Sequence, residues 1–209
     1  MITIADVLAR LDSAGLLLGP GPTVDLAITG ISADSRQVSV GGLYCAIRGY
    51  VHDGHDFLKE AEAAGAVAAL VENPRAEIDL LQIHVSDGRR AAALAAQVVF
   101  GEPAAELRLV GVTGTNGKTT TVHLIRHVLA RRLSCGSIGT LGTVSASGAR
   151  ESTDLTTPGP VEFARRLAAL EQDGVECVVA EVSSHALSQG RVDGVTFEVA
   201  VFTNLSRDH

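Results

Sequence analysis

The apolar residues in the second half of the chain alternate between short continuous runs and longer stretches with helical spacing. Three continuous runs predict buried strands, at residues 107–112, 175–182 and 198–203. Two stretches predict helices, at residues 119–133 and at residues 160–172, where Pro160 suits the first turn. A short strand at 137–138 and a polar hairpin over 141–151 lie between them. Strands that alternate with helices predict a mainly parallel sheet, with ligands at the carboxyl ends of the strands.

The first half of the chain shows a weaker alternation of the same kind. Three helices are predicted, over 4–14 after a Thr3 cap, over 57–64 before Gly65, and from a Ser86 or Asp87 cap to residue 100. Short β segments are predicted at residues 27–31, 43–47, 66–71 and 82–85, and a loop at residues 19–22. This half is therefore expected to form a small α/β domain.

Composition agrees with this architecture and bounds the number of domains. The chain has 209 residues, of which 46% are hydrophobic and only 3% aromatic. This length allows one large or two small domains, and a high content of Ala, Val, Leu and Gly suits an α/β fold. The best boundary lies at Phe100-Gly101-Glu102-Pro103, after an Ala-rich helix and before a strand. We therefore predict two domains, residues 1–102 and residues 103–209.

Several features argue against a membrane or nucleic-acid role. No window holds 18 uninterrupted apolar residues, and the first residues lack the basic and apolar regions of a signal peptide. The three cysteines, Cys45, Cys135 and Cys177, are far apart and odd in number, which indicates cytosolic thiols that act as small core residues. A cytoplasmic protein without membrane insertion is expected. The net charge of −7 argues against nucleic acid, but not against an anionic substrate.

The most informative motif is Gly114-Thr115-Asn116-Gly117-Lys118-Thr119. It lies between a predicted buried strand and a predicted helix, which is the arrangement that holds the phosphates of a nucleotide. Glycines let backbone N–H groups approach phosphate oxygens closely, and the helix N-terminus adds partial positive charge. Lys118 can reach the β- and γ-phosphates, and the Thr119 hydroxyl can bind Mg²⁺.

The glycine spacing departs from the standard phosphate loop, G-x-x-x-x-G-K-[ST]. That pattern would place the first glycine at Val112, whereas glycines stand at Gly111 and Gly114. A tight strand-to-helix turn without a ligand is the alternative, but the strand, Gly-Lys-Thr and helix together favour phosphate binding. No G-x-G-x-x-G is present, so nicotinamide binding is poorly supported; the nearest glycine cluster has the wrong spacing, at Gly136, Gly139 and Gly142.

Two other predicted strands also end in polar residues. Glu181 lies near the end of one strand and is followed by Ser183, Ser184 and His185. The last strand leads into the polar stretch 203–209. A carboxylate that follows a buried strand in a phosphate-loop domain is well placed for Mg²⁺, directly or through water. Three strand ends are therefore expected to carry polar clusters toward one face.

The remaining candidate residues point to no separate chemistry. His123 and His127 have a spacing that can bind metal, but no Glu or Cys partner is evident, so a polar helix face is expected. His52 and His55 lie in a polar, glycine-rich loop. Residues 183–185 are not a nucleophile elbow, because G-x-S-x-G is absent.

The phosphate loop and several other segments together resemble a known family. Residues 113–120 look like the ATP loop of the Mur ligases and folylpolyglutamate synthetases, which shows this shortened glycine spacing. Further segments occur in the order of the UDP-N-acetylmuramoyl-tripeptide synthetase branch of the Mur ligases: Asp34-Ser35-Arg36, Gly49 to Phe57, Thr156-Thr157-Pro158, Glu181 to His185 and Thr203 to His209. The resemblance runs from about residue 27 to the end, and the set is specific although no single segment is.

The resemblance implies roles for individual residues. ATP would be bound by Gly114, Thr115, Asn116, Gly117, Lys118, Thr119 and Thr120. Thr119 and Glu181 would bind Mg²⁺, with His209 near a second metal, and Lys118, Glu181 and His209 would be catalytic. The uridine nucleotide would be held by Ser35, Tyr50, Val51 and His52, and the muramoyl-peptide by Thr156, Thr157, Ser183, Gln189 and Arg191. The family often has Thr or His at Tyr50, so backbone groups are expected to carry the contacts there.

The fold and the reaction also follow from the resemblance. It implies a small Rossmann-like uridine-nucleotide domain and an incomplete phosphate-loop ATPase domain with a mainly parallel sheet. The enzyme would be a monomeric amide-forming ligase in peptidoglycan synthesis that uses ATP and Mg²⁺. The glutamate carboxylate of UDP-N-acetylmuramoyl-L-alanyl-D-glutamate would attack the γ-phosphate of ATP. The amine of a diamino acid, meso-diaminopimelate or L-lysine, would then attack the acyl phosphate.

Two further expectations concern the end of the chain and the alternatives. The lysine that the family carbamylates, the rest of the central domain and the domain that selects the amino acid would lie beyond His209. The chain is therefore expected to be an N-terminal fragment that does not ligate alone. The alternatives are a folylpolyglutamate synthetase or another Mur ligase, and a nucleotide-binding module without ligase activity.

Overall fold

The chain divides into two compact units, with the division between Val99 and Phe100. The computed structural model describes residues 1–23, 26–49 and 51–206. Each unit has its own β-sheet and its own hydrophobic core. Within the described residues, every helix is too short or too polar to cross a bilayer. The three cysteines are buried free thiols, which confirms their predicted role as core residues.

The first unit is built on four parallel strands that lie side by side in chain order. The strands are β1 (Ile31–Ser32), β2 (Leu43–Cys45), β3 (Ala68–Val71) and β4 (Leu81–His84). The helices are α1 (Ile4–Ser13), α2 (Leu58–Ala63) and α3 (Gly88–Val99), with 3-10 turns at Ser35–Gln37 and Gly54–Phe57. The two central strands, β2 and β3, are buried along their whole length, as in sheets covered on both faces.

The caps predicted for the helices of this unit are present. At the start of α1, the backbone N–H of Thr3 donates to the Asp6 carboxylate at 2.8 Å. At the start of α3, Asp87 Oδ1 accepts from the N–H groups of Arg89 and Arg90, both at 3.0 Å. After α2, Gly65 adopts a φ of 96°, which favours glycine because a side chain would be strained there.

The second unit holds a six-stranded mixed sheet. Its helices are α4 (Pro103–Glu106), α5 (Lys118–Leu129), α6 (Pro160–Gln172) and α7 (Ser184–Ser188). Its strands are β5 (Arg108–Thr113), β6 (Cys135–Gly139), β7 (Gly142–Val144), β8 (Arg150–Glu151), β9 (Cys177–Glu181) and β10 (Val199–Phe202). The predicted helix over 160–172 and the predicted hairpin over 141–151 are both confirmed.

The order of strands in this sheet is β10-β5-β9-β6-β7-β8. Strands β10, β5, β9 and β6 run parallel, and β7 and β8 add an antiparallel edge. From β5 the chain passes to β6 two places away, returns to β9 between them, and then moves to β10 on the other side of β5. Such a reversal of winding direction opens a crevice at the carboxyl ends of the strands.

Most predicted elements differ from the structure by one or two residues at an end, and two differ by four. The β segment predicted at 27–31 is only the two-residue β1, because the backbone before it pairs elsewhere: Ile28 N–H donates to Ile2 and Thr29 N–H to Gly41. The helix predicted over 119–133 begins at Lys118 and ends at Leu129. The short helices α4 and α7 were not predicted, since four or five residues are too few for a helical apolar period.

Candidate functional site

The phosphate-loop motif forms the connection between β5 and α5. Gly114 has a φ of 132° and Gly117 a φ of 83°, conformations that residues with a side chain rarely adopt. The Lys118 ammonium donates to the carbonyl oxygens of Gly114 and Thr115, at 2.7 and 2.8 Å, and so lies over the loop. Because α5 begins at Lys118, its first N–H groups and partial positive charge face the same place. Loop, ammonium and helix terminus together suit an anionic phosphate.

Glu181, at the end of β9, lies next to this loop. Its side chain is buried, with 1% of the residue surface exposed. The Thr119 hydroxyl donates to Glu181 Oε2 at 2.9 Å. Strand β9 is the direct neighbour of β5 in the sheet, which explains why two residues far apart in sequence meet. The predicted juxtaposition of Thr119 and Glu181 is therefore present.

The turn between β6 and β7 fixes the orientation of the Glu181 carboxylate. The backbone N–H of Thr140 donates to Glu181 Oε1 at 2.9 Å, and the Thr140 hydroxyl donates to Oε2 at 3.2 Å. A Cβ atom on Gly139 would lie 2.2 Å from Glu181 Oε1, so only glycine leaves room for the carboxylate there. Gly139 and Thr140 were missed as site residues by sequence reasoning.

The oxygen atoms of Thr119 and Glu181 fit a magnesium ion. Mg²⁺ prefers oxygen ligands and is usually held by one or two carboxylates together with substrate phosphates. The pair supplies one hydroxyl, one negative charge and a neighbouring phosphate loop. Within the described residues, no three His, Cys, Asp or Glu side chains cluster as a metal site. His123 is half-buried and His127 exposed, in line with the polar helix face expected for them.

The predicted muramoyl-peptide residues lie around the end of β9. Thr157 is fully buried; its hydroxyl donates to the carbonyl of Glu181 at 2.8 Å and accepts the N–H of Ser183 at 3.1 Å. The hydroxyl oxygens of Thr156 and Thr140 lie 3.2 Å apart. Thr156 and Thr157 are thus joined directly to the group of residues that orients Glu181.

Arg191 and Gln189 belong to the same group. Two nitrogens of the Arg191 guanidinium donate to Gln189 Oε1 at 3.0 and 2.8 Å, and a third donates to the carbonyl of Thr157 at 2.7 Å. A guanidinium fixed in this way presents a planar, permanently charged group suited to a substrate carboxylate. The structure therefore brings together all five residues predicted for the peptide: Thr156, Thr157, Ser183, Gln189 and Arg191.

Three of the predicted uridine residues, Ser35, Val51 and His52, lie in the first unit, after β1 and β2. Ser35 is 7% exposed, and its hydroxyl donates to Glu60 Oε2 at 2.9 Å. Val51 is 84% exposed, and the ring of His52 meets the edge of Phe57 with centroids 6.3 Å apart. Since β1 and β2 are parallel neighbours, the segments that follow them leave the same edge of the sheet.

The loop that carries Val51 and His52 is closed by a set of short contacts. Gly49 N–H donates to the carbonyl of His52 at 2.9 Å, and Arg48 Nε donates to Asp53 Oδ2 at 3.2 Å. Burial would raise the pKa of Asp53, but hydrogen bonds from His55 and Arg48 outweigh it and lower that pKa to about 2. The buried His55 ring, 2.6 Å from Asp53 Oδ1, thus anchors the end of the loop.

Two predicted site residues lie outside the described residues, Tyr50 and His209. Their assignments as a uridine contact and a metal ligand stay predictions. Thr203 and Asn204 follow β10 and hydrogen-bond the phosphate loop, whereas the sequence predicts only a polar stretch over 203–209 that faces the same side. The signal for them is their place at the carboxyl end of the last predicted strand.

Comparison with protein families gives two matches. The Mur ligase family, catalytic domain, matches residues 27–133, and the Mur ligase middle domain matches residues 112–209. The first match covers more than half of the chain. The segments that carry the resemblance in sequence therefore lie within the matched ranges.

Similar curated proteins are UDP-N-acetylmuramoyl-L-alanyl-D-glutamate–2,6-diaminopimelate ligases. The Geobacter metallireducens protein is 43% identical over 206 residues, which are 96% of this chain and 40% of that protein. The Geobacillus thermodenitrificans protein is 45% identical over 184 residues, which are 87% of this chain and 37% of that protein. The chain thus spans 37–40% of the length of these relatives.

Solved structures with a similar fold come from the same family. One is a UDP-N-acetylmuramoyl-L-alanyl-D-glutamate–2,6-diaminopimelate ligase, with a TM-score of 0.73, 30% identity, and coverage of 87% of this chain and 37% of that one. Another is the MurF ligase from Thermotoga maritima in complex with ADP, with a TM-score of 0.52, 25% identity, and coverage of 74% and 32%. On the family matches, the sequence similarity and the shared fold, the chain belongs to the Mur ligase family.

Proposed function

We propose that this chain provides the ATP-binding and UDP-sugar-peptide-binding parts of a ligase that joins 2,6-diaminopimelate to UDP-N-acetylmuramoyl-L-alanyl-D-glutamate. The observation that carries the proposal is the phosphate loop beside the Thr119–Glu181 pair at one edge of the sheet. The proposed roles are a UDP-sugar-binding domain over residues 1–102 and an ATP-binding domain over residues 103–209. The product extends the stem peptide of peptidoglycan, on which cell shape and cell division depend.

In the proposed reaction, the glutamate carboxylate of the substrate attacks the γ-phosphorus of ATP and ADP leaves. The amine of the diamino acid then attacks the acyl phosphate, inorganic phosphate leaves, and an amide forms with loss of a proton from nitrogen. Phosphoryl transfer requires positioning and charge neutralisation more than covalent help from the protein. Both requirements fall on the residues around the phosphate loop.

Each of these residues has a distinct task. Lys118 and the N-terminus of α5 bind the phosphate oxygens and balance their negative charge. Thr119 and Glu181 would hold Mg²⁺, which when bound neutralises charge on the β- and γ-phosphate oxygens. Thr140 keeps the Glu181 carboxylate turned toward Thr119. The fixed guanidinium of Arg191 would bind an anionic group of the muramoyl-peptide.

The choice of diamino acid rests on the relatives. The residues of this chain leave meso-diaminopimelate and L-lysine equally open. The curated relatives from Geobacter and Geobacillus are named as 2,6-diaminopimelate ligases, and this favours diaminopimelate. A cytoplasmic location and a monomeric state stay predictions from the sequence.

Isothermal titration of the 209-residue chain tests the proposal. We expect binding of ATP in the presence of Mg²⁺, and separate binding of UDP-N-acetylmuramoyl-L-alanyl-D-glutamate. Lys118→Ala is expected to weaken ATP binding by about a hundredfold, because it removes the charge-assisted bonds to phosphate. The same variant should keep its affinity for the UDP-linked substrate.

Control measurements separate the alternatives. Lys59→Ala removes an exposed lysine from α2 and should leave ATP affinity unchanged. Binding of a folate in place of the UDP-linked substrate would favour a folylpolyglutamate synthetase. If ATP binds but neither the UDP-linked substrate nor a folate does, the chain is a nucleotide-binding module. If ATP does not bind at all, the proposal is contradicted.

A further inference from the structure

The segment that follows β10 is hydrogen-bonded to the phosphate loop along its length. The Thr203 hydroxyl donates to the carbonyl of Asn116 at 2.7 Å. The Thr115 hydroxyl donates to the carbonyl of Ser206 at 3.1 Å and accepts the N–H of Ser206 at 3.0 Å. We call residues 203–206 the clamp segment. It lies beside the loop because β10 is the outer neighbour of β5.

Asn204 makes the largest set of these contacts. Its Oδ1 accepts the N–H of Asn116 at 3.1 Å, and its Nδ2 donates to the carbonyl of Asn116 at 3.0 Å. Its own carbonyl accepts the N–H of Thr115 at 3.0 Å. Both polar backbone groups of Asn116 are therefore held by one side-chain amide, as a neighbouring strand would hold them.

These bonds decide which part of the loop can meet an anion. The N–H groups of Thr115 and Asn116 are turned toward Asn204 and donate to it. Since each N–H makes one good bond, a phosphate would meet the N–H groups from Gly117 into the first turn of α5, and not those of Thr115 and Asn116, which the resemblance assigns to ATP. The clamp segment thus sets the boundary between the part of the loop that is braced and the part that binds.

The same segment explains the displaced glycine of the motif. A Cβ atom on Gly114 would lie 2.2 Å from the Thr203 hydroxyl oxygen and 2.9 Å from the carbonyl of Asn204. Gly114 also has a φ of 132°. Glycine is needed at this position because a second stretch of backbone passes against it, whereas Val112 lies inside β5 and packs in the core.

We propose that Asn204 and Thr115 are positioning residues for nucleotide binding, which hold the phosphate loop in its binding conformation from the β10 side. The inference rests on the proposed ATP binding but concerns residues that act through the loop, not through contact with the nucleotide. Loss of the clamp bonds would let the loop backbone adopt other conformations. The affinity for the phosphates would then fall in proportion to the fraction of molecules whose loop keeps the binding conformation.

Two pairs of variants test this in the full 209-residue chain. Asn204→Ala removes both side-chain bonds to Asn116 and is expected to raise the Kd for ATP with Mg²⁺ about tenfold. Thr115→Val removes the hydroxyl while keeping the shape, and we expect a several-fold rise, whereas Thr115→Ser keeps the hydroxyl and should restore the wild-type Kd. Leu205→Ala is the matched control, since Leu205 is 85% exposed within the same segment.

Amide hydrogen exchange gives a second readout that does not depend on nucleotide. Exchange at the N–H groups of Thr115 and Asn116 should quicken in Asn204→Ala, with wild-type protection kept in β9. Unchanged exchange and unchanged ATP affinity in folded Asn204→Ala would overturn the inference. If the variant does not fold, the Thr115→Val and Thr115→Ser pair decides. If the wild-type chain does not bind ATP, the proposed function is contradicted. The exchange measurement still tests whether the clamp segment holds the loop backbone, because it needs no nucleotide.

Discussion

The two sheets of this protein are both parallel at their centre, yet the order of their strands differs. In the first unit, β1 to β4 lie in chain order, so the chain always moves in one direction. In the second unit, the chain leaves β5 toward β6 and later arrives on its other side as β10. The reversal brings β5, β9 and β10 together at one edge. Winding direction, more than strand number, distinguishes the two sheets.

The candidate residues of the two units differ accordingly in how they are held. Glu181 receives three hydrogen bonds, from two different elements. Val51 and His52 lie on a loop whose shape depends on bonds within the loop and on its anchor, His55. We therefore expect substitutions around Glu181 to change the affinity for ATP strongly. Substitutions in the first unit should change the affinity for the UDP-linked substrate, and only weakly.

The largest effect is expected for Gly139→Ala. The new methyl group would overlap the Glu181 carboxylate and must displace it, a steric conflict that typically costs about 1–3 kcal/mol. We expect a lower free energy of unfolding and loss of the Mg²⁺ dependence of ATP binding, measured by urea unfolding and titration calorimetry. Gly159→Ala is the control, because nothing lies within 4 Å of a Cβ there. Equal effects of both substitutions would contradict the assignment.

The next effect is expected for Thr140→Val, which removes the hydroxyl bond to Glu181 and keeps the side-chain shape. A lost hydrogen bond to a charged group costs about 1.5–3 kcal/mol when nothing replaces it, and less here because the Thr140 N–H remains. We expect a several-fold rise in the Mg²⁺ concentration needed for half-maximal ATP binding. Thr140→Ser should behave as wild type; if it resembles Thr140→Val, the hydroxyl is not the cause.

A smaller effect, and one confined to the other ligand, is expected for Ser35→Ala. The variant loses the bond to Glu60, which faces solvent and can take water instead. We expect the Kd for the UDP-linked substrate to rise a few-fold while the Kd for ATP stays constant. Ser13→Ala, at the end of α1, is the control. A change in ATP affinity would contradict the assignment of the two ligands to different units.

The smallest effect is a pH dependence that originates at Asp53. Its pKa in the folded protein is about 2, below the ordinary 3.8, so the charged form stabilises the fold. This contribution is complete above the unfolded pKa and is lost as pH falls from about 4 to about 2, and solvent screening of the part-exposed carboxylate keeps it small. Asp53→Asn should make the free energy of unfolding less dependent on pH between about pH 4 and about pH 2. Asp12→Asn, which changes an exposed carboxylate of α1, is the control. A parallel pH profile in Asp53→Asn and wild type would contradict this.

The sequence predicts those parts of the site that local patterns determine. The phosphate loop and Glu181 each follow a continuous apolar run, so their positions at strand ends follow from one stretch of chain. Thr140 and Asn204 act on residues 41 and 88 positions away, and their partners depend on the strand order of the sheet. No short-range pattern specifies that order. Gly139 could not be predicted for the same reason. Glycine is required there only because the Glu181 carboxylate lies beside it in the folded sheet.

The Thr157 hydroxyl, which joins the carbonyl of Glu181 to the N–H of Ser183, has a consequence for engineering. The side chain ties the strand that carries the proposed metal carboxylate to a residue proposed to bind the peptide. A change at this position intended to admit a different peptide acceptor would also disturb the use of ATP. Selection for new acceptors should therefore find its productive changes at Gln189 or Arg191 and leave Thr157 untouched.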